Sequence, residues 1–168
     1  MHFEIHVEDQ SGKRMLDHLL KRIIPEHTVF IHPYKGIGRI PKDMKDPRDA
    51  KNRILLENLP KILKGHGRTF RSYGDAYRAV VIVVCDLDDK CLKSFRDELY
   101  EILALCDPEP EARFCIAVEE GEAWLLGDHA AIKAAFPAAK DAVLAAYQND
   151  SICGTWERLA DAIYPRGA

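Results

Sequence analysis

The chain has 168 residues, 47% hydrophobic and 30% charged, with a formal net charge of −3. That length and apolar content suffice for one buried core, so a single domain over residues 1–168 is expected, with a core of about 1–137 and a helical extension of about 138–168. The longest apolar run, Ala79 to Cys85, is far short of the roughly 20 residues a bilayer span requires, and no basic-then-apolar leader opens the chain; neither membrane insertion nor export is expected.

In chain order, FEIHV reads as a strand, and DQSG turns into KRMLDHLLKRII, where Met15, Leu19, Leu20 and Ile23 recur at helical spacing until Pro25 closes the helix. HTVFIH is a second strand. The loop PYKGIGRIPKDMKDP follows, then a helix of about Arg48 to Lys64 that turns Ile54, Leu55, Leu59 and Ile62 inward and ends at GHGR. AVVIVVC is apolar on both faces, as a strand covered on both sides must be, which makes it the expected sheet centre. A helix of about Cys91 to Leu105, a break at DPEPE and a fourth strand, ARFCIAV, come next. From Asp128 the pattern is helical only: a piece over 129–136, a longer one after Pro137, and a last one for which Thr155 is the expected N-cap.

Alternation of strand and helix predicts an α/β fold with a mainly parallel, Rossmann-like sheet, helices on both faces, and a site beyond the carboxyl ends of the strands. The first strand departs from this pattern, because His2, Glu4, His6 and Glu8 alternate with Phe3, Ile5 and Val7. Either it lies nearer an edge than a central parallel strand, or its polar face lines a site, where two histidines and two glutamates could ligate a metal. A partly solvated strand is the plainer reading.

Charge is unevenly distributed. Pro33 to Arg78 holds 12 Lys/Arg against 5 Asp/Glu, and the rest of the chain holds 12 against 22. The basic stretch is either a solvated surface or a phosphate-binding one, and Lys35, Arg39, Lys42, Lys45 and Arg48 are its candidate nucleic-acid contacts, with Tyr34 beside them. Gly36-x-Gly38 lacks the rest of a phosphate-loop motif and reads as a turn.

Acidic residues collect where strands end: Glu8 after the first, Asp86, Asp88 and Asp89 after the third, Glu119, Glu120 and Glu122 after the fourth. In a parallel sheet these ends share an edge. Residues two apart in extended chain face the same side, so Asp86 with Asp88, and Glu120 with Glu122, could converge, and clustered carboxylates are relieved by a hard cation such as Mg²⁺ or Mn²⁺. Acidic residues at strand ends also serve as helix caps and first-turn charges. Trp124, Leu125 and Leu126 are expected in the core, as is the face formed by Trp156, Leu159, Ile163 and Tyr164. His66 and His129 read as loop or cap histidines, and Cys85 as a buried strand residue. The five cysteines form no CxxC pair and no evident disulfide framework, so reduced thiols in a cytoplasmic protein are expected.

A glutamate closing the first strand and an Asp-x-Asp closing VVIVVCDLD resemble the TOPRIM domain of topoisomerases, primases and the overcoming-lysogenization-defect nucleases. The segment IAVEEGEAWLLGDHAAIKAAFP is more similar to a small stand-alone TOPRIM-related bacterial group, a domain of unknown function with a Glu-x-Glu-Ala-(Trp/Leu)-Leu-Leu segment, often found beside ATPase genes in phage-defence loci. The likeness runs over roughly His2 to Pro137. It implies Glu8 as the general acid–base or metal-adjacent glutamate, Asp86 and Asp88 as Mg²⁺ ligands, Glu120 or Glu122 as additional acidic positions for a second ion, and phosphodiester cleavage of DNA or RNA as the activity. An ATPase partner is implied as well, and a homo-oligomer is compatible with it. Asp9 stands where that family usually has glycine, and Gly12 where its two-metal nucleases carry a second acidic residue; Asp9 or Asp89 would have to compensate. The competing expectation is a non-catalytic nucleic-acid- or partner-binding subunit that keeps the fold.

Overall fold

A computed structural model describes residues 1–41, 53–149, 151 and 154–165. Its sheet has four parallel strands in the order β2-β1-β3-β4, formed by His2–Val7 (β1), Thr28–Pro33 (β2), Ala79–Asp86 (β3) and Ala112–Ala117 (β4). Seven α-helices lie among the described residues: Gln10–Ile23 (α1), Leu59–Ser72 (α2), Leu92–Ala104 (α3), Ala123–Leu126 (α4), His129–Ala135 (α5), Asp141–Ala145 (α6) and Thr155–Ile163 (α7). The expected mainly parallel α/β architecture is therefore the observed one. None of these helices is long and apolar enough to cross a membrane.

Two compact units make up the chain. The first joins Met1–Cys85 to Lys93–Cys115, and the second joins Asp86–Leu92 to Ile116–Ala168.

In the first unit the β1–β2 register pairs His2 with Thr28 and Val7 with Pro33, while β1–β3 pairs His2 with Ala79 and Val7 with Val84. β1 is thus an interior strand, which removes the edge explanation for its polar residues. Its apolar face carries Ile5 and Val7, buried with Ile31 of β2 and Leu16 of α1, with Phe3, Leu20, Val29, Ile82 and Val84 packed around them. Of the helical positions expected to face inward on α1, Leu20 does so, but Leu19 is 40% and Ile23 67% exposed; Leu16 takes the buried place. Asp9 begins α1 as its N-cap, its side chain accepting from the Gly12 amide at 2.7 Å.

The interior position expected for β3 is observed, and Val81 and Val83 are fully buried. Leu55, Leu56, Leu59 and Leu63, ahead of and within α2, are fully buried too. The expected end of this helix at GHGR is overturned, because α2 continues through Gly65-His66-Gly67-Arg68 to Ser72. Glycine weakens a helix interior by about 1 kcal/mol relative to alanine, yet here one glycine is required by packing. A Cβ on Gly67 would sit 2.0 Å from the Pro108 carbonyl oxygen, so only glycine lets α2 approach the 107–110 loop this closely. The consequence is functional: His66 is carried on a helix, two turns in.

In the second unit Leu126, Ile132, Ala139, Leu144, Tyr147 and Ala162 form the core, with Val143, Leu159 and Ile163 against it. The expected burial of both tryptophans is not observed, since Trp124 is 44% and Trp156 50% exposed, as are Leu125 and Tyr164 to similar extents. On the four-residue α4 only Leu126 turns inward, and on α7 the buried residues are Thr155, Ala160 and Ala162.

Candidate functional site

Glu8 directly follows β1, half-buried, with its carbonyl oxygen accepting from the Gly36 amide at 2.9 Å. Gly36 and Gly38 take positive φ angles of 105° and 69°, and the backbone between them bonds to Glu8 and, through Gly36 and Ile37, to Leu55 and Leu56. Asp86 is the last residue of β3. The chain then leaves the extended conformation: Asp88 has φ of +52°, a region Asp tolerates better than most residues, and its carboxylate pairs with Lys90 at 3.0 Å. The two-residue alternation of an extended strand therefore does not carry over from Asp86 to Asp88.

The same holds after β4. Glu122 has helical backbone angles, φ −65° and ψ −24°, at the start of α4. Glu119 is buried, its carboxylate accepting from the Tyr147 hydroxyl. Glu120 reaches across the unit to the start of α7, where its Oε2 accepts from the Thr155 hydroxyl at 2.9 Å and the Trp156 amide at 3.0 Å. Thr155 is not the N-cap that its sequence suggested; Gly154 is, at φ 88°, and it has no side chain with which to cap. Glu120 supplies that missing acceptor, and its negative charge also suits the positive end of the helix. Glu120→Gln should lower unfolding free energy by about 1 to 2 kcal/mol in urea titrations, because it removes the charge from a capping bond.

Among the candidate nucleic-acid contacts, Lys35 and Arg39 are exposed. Lys42, Lys45 and Arg48 lie outside the described residues.

The most developed constellation in the first unit is one that composition alone did not single out: the polar face of β1. In parallel register His6 stands beside His32 of β2, and the two rings stack at 4.8 Å with 18° between their planes. Glu4 lies between two histidines, accepting from His32 Nε2 at 2.6 Å and His2 Nε2 at 2.9 Å. Burial pushes the Glu4 carboxyl up, but the hydrogen bonds from His2 and His32 outweigh it and hold it below its usual range. From α2, His66 brings its Nε2 to 3.0 Å from His6 Nε2, and the opposite nitrogen of His6 lies 3.2 Å from the Tyr34 hydroxyl. Burial, with His32 and His66 adding to it, lowers the His6 pKa to about 2, and burial lowers that of His66 as well. Both imidazoles are therefore neutral near pH 7, and each bond between them has one donor. If Tyr34 donates to His6 Nδ1, then His6 donates through Nε2 and leaves His66 Nδ1 as a donor; the reversed chain leaves His66 Nδ1 as an acceptor. The two arrangements hold the same number of protons and no net charge.

No family model matches this chain, and no curated protein or solved structure does either.

The polar layer opens beside a cleft of about 450 Å³, lined by residues of β2, α2 and the segment joining them, His32, Tyr34, Arg53, Lys61, His66 and Thr69 among them. Arg53 is anchored there through Nη2 to the Pro33 carbonyl at 2.8 Å, and burial raises the Tyr34 hydroxyl pKa to about 12, so it remains a proton donor. Sequence periodicity exposed His2, Glu4 and His6 as one face; the partners His32 and His66 come from residues 26 and 60 positions beyond His6 and carry no local signal. Among the described residues no group of three or more His, Cys, Asp or Glu is arranged to hold a metal ion.

Proposed function

We propose that the protein is a Mg²⁺- or Mn²⁺-dependent phosphodiester-cleaving protein of the TOPRIM type, acting on DNA or RNA in the cytoplasm with an ATPase partner, in a phage-defence setting. The observation that supports this reading is the parallel pairing of β1 with β3, Val7 beside Val84, because a parallel α/β sheet carries its site beyond the carboxyl ends of its strands. Oxygen-only donors are the right chemistry for a hard cation, and Asp86 and Asp88 are the residues that would hold it. Bound there, the cation would supply charge neutralisation at a phosphoryl oxygen. Glu8 would accept or return a proton, and Lys35 and Arg39 would neutralise backbone phosphates.

A second reading, a non-catalytic nucleic-acid- or partner-binding subunit with this fold, is favoured by a different observation. Asp9, Glu119 and Glu120 already accept hydrogen bonds from protein donors, which leaves fewer carboxylates for a second ion. In particular Asp9, the candidate substitute for the family's second acidic residue, is the cap of α1.

Purified protein incubated with supercoiled, linear and single-stranded DNA and with RNA separates the two. Cleavage in Mg²⁺ or Mn²⁺ that EDTA abolishes, and that Glu8→Gln lowers at least about 100-fold, is expected from the nuclease. Binding that weakens steeply with salt, without cleavage under any of these conditions, would establish the second reading.

A further inference from the structure

The cleft beside β2 and α2 contains cationic, hydroxyl, amide and imidazole groups, and among the described residues no carboxylate lines it. Arg53 and Lys61 bring two permanent positive charges with several N–H donors, and either His66 or, in the reversed arrangement, Tyr34 brings one more proton; the Thr69 hydroxyl donates to the Gly65 carbonyl at 3.0 Å and His32 Nε2 donates to Glu4. Its volume of about 450 Å³ exceeds what a bare inorganic anion fills and falls in the size range of small-molecule sites, about 300 to 1,000 Å³. The one carboxylate of the adjoining polar layer, Glu4, has both oxygens engaged by His2 and His32.

We infer that this cleft binds the phosphate group of a small phosphate monoester, of nucleoside-monophosphate size, with Arg53 and Lys61 as its charge partners and His66 as an adaptable hydrogen-bonding partner. A dianionic group with three acceptor oxygens matches two cations and several donors better than a carboxylate, which has one charge and two oxygens. The guanidinium of Arg53 suits a forked contact, and its anchor on Pro33 limits the freedom lost on binding. His66 completes the match through its bond to His6. In one arrangement of the Tyr34–His6–His66 chain its remaining nitrogen donates to a bare phosphate oxygen; in the other it accepts from a protonated one. A phosphate monoester gains its second charge near pH 6, so both forms are met near neutrality without charging His6. This site is independent of the acidic residues that close β1 and β3, and it does not rest on the nuclease reading.

Calorimetric titration in EDTA, so that no divalent ion contributes, tests the inference with three probes: adenosine monophosphate, inorganic phosphate and adenosine. Saturable binding of the monophosphate, weaker binding of inorganic phosphate and none of adenosine is expected. Arg53→Gln and Lys61→Gln should each weaken the monophosphate by roughly 10- to 100-fold. Lys61 is exposed on α2, so its variant remains a fair test even if loss of the Arg53–Pro33 anchor disturbs the fold. Adenosine binding as tightly as its monophosphate, absence of binding by both phosphate probes at millimolar concentration, or unchanged affinity in Lys61→Gln would overturn the assignment.

Discussion

Lowering the pH from 7 to 5 is expected to cost the folded state about 2 kcal/mol through His6 alone. In the fold its pKa is lowered from 6.5 to about 2 by burial and by the neighbouring His32 and His66, whereas in the unfolded chain it titrates normally. Below about pH 6.5 the unfolded state binds a proton that the folded state refuses, so stability falls with pH, at up to about 1.4 kcal/mol per unit. His66, lowered in the same direction by burial, adds to the effect. Glu4 does not interfere in this window: its folded pKa lies below the ordinary 4.5, so the stability it contributes is lost only on further acidification. Urea titrations at pH 7, 6 and 5 measure the slope. His6→Asn should lower stability at pH 7, because it breaks the chain to Tyr34 and His66, and should flatten most of the pH dependence. A wild-type slope no steeper than that of the variant would mean that His6 is charged or exposed in solution, and the polar layer would have to be redrawn.

Replacing Asp86 and Asp88 together with asparagine is expected to abolish stabilisation by Mn²⁺, which for a single site at a hundredfold excess over Kd amounts to about 2.7 kcal/mol. The nuclease reading requires this, because the resemblance that motivates it assigns the ion to these two positions. Their surroundings make the outcome informative. Asp88 is paired with Lys90, and its carboxylate is on an exposed, left-handed turn, so it can be replaced without disturbing a buried core. The stability of the double variant without the ion is its own reference, and the further change that Mn²⁺ produces in each protein reports ligation. Stabilisation that survives in the double variant would locate the ion elsewhere and remove the support for these residues as ligands. Stabilisation absent from the wild type as well would favour the non-catalytic subunit.

Legibility differed sharply between local and non-local features. The unbroken AVVIVVC run marked an interior parallel strand, because a strand covered on both faces has no polar side, and β3 is that strand. Pro25 marked the close of α1 for a local reason too, since its ring cannot continue a helix. GHGR misled because glycine reports local backbone preference, and here the preference is outweighed by the close approach of α2 to Pro108. Trp124 misled because a large apolar side chain is informative about the core only when the helix is long enough to have a defined inner face, and α4 has four residues; on α7 the buried places fall to Thr155, Ala160 and Ala162, and Trp156 is left half exposed.

What the sequence by itself determined is the set of properties with a short period: alternation of strands and helices, the apolar centre of the sheet, acidic residues where strands end, and the two-residue polar alternation His2, Glu4, His6 on β1. What only the tertiary structure decided is which distant residues meet those features. Parallel register sets His32 beside His6, and the uninterrupted α2 sets His66 against it. Closure of the second unit sets the Glu120 carboxylate on the amino end of α7, which Gly154 leaves uncapped. In each case the partner is fixed by burial and backbone pairing summed over whole elements, an energy that no window of neighbouring residues contains.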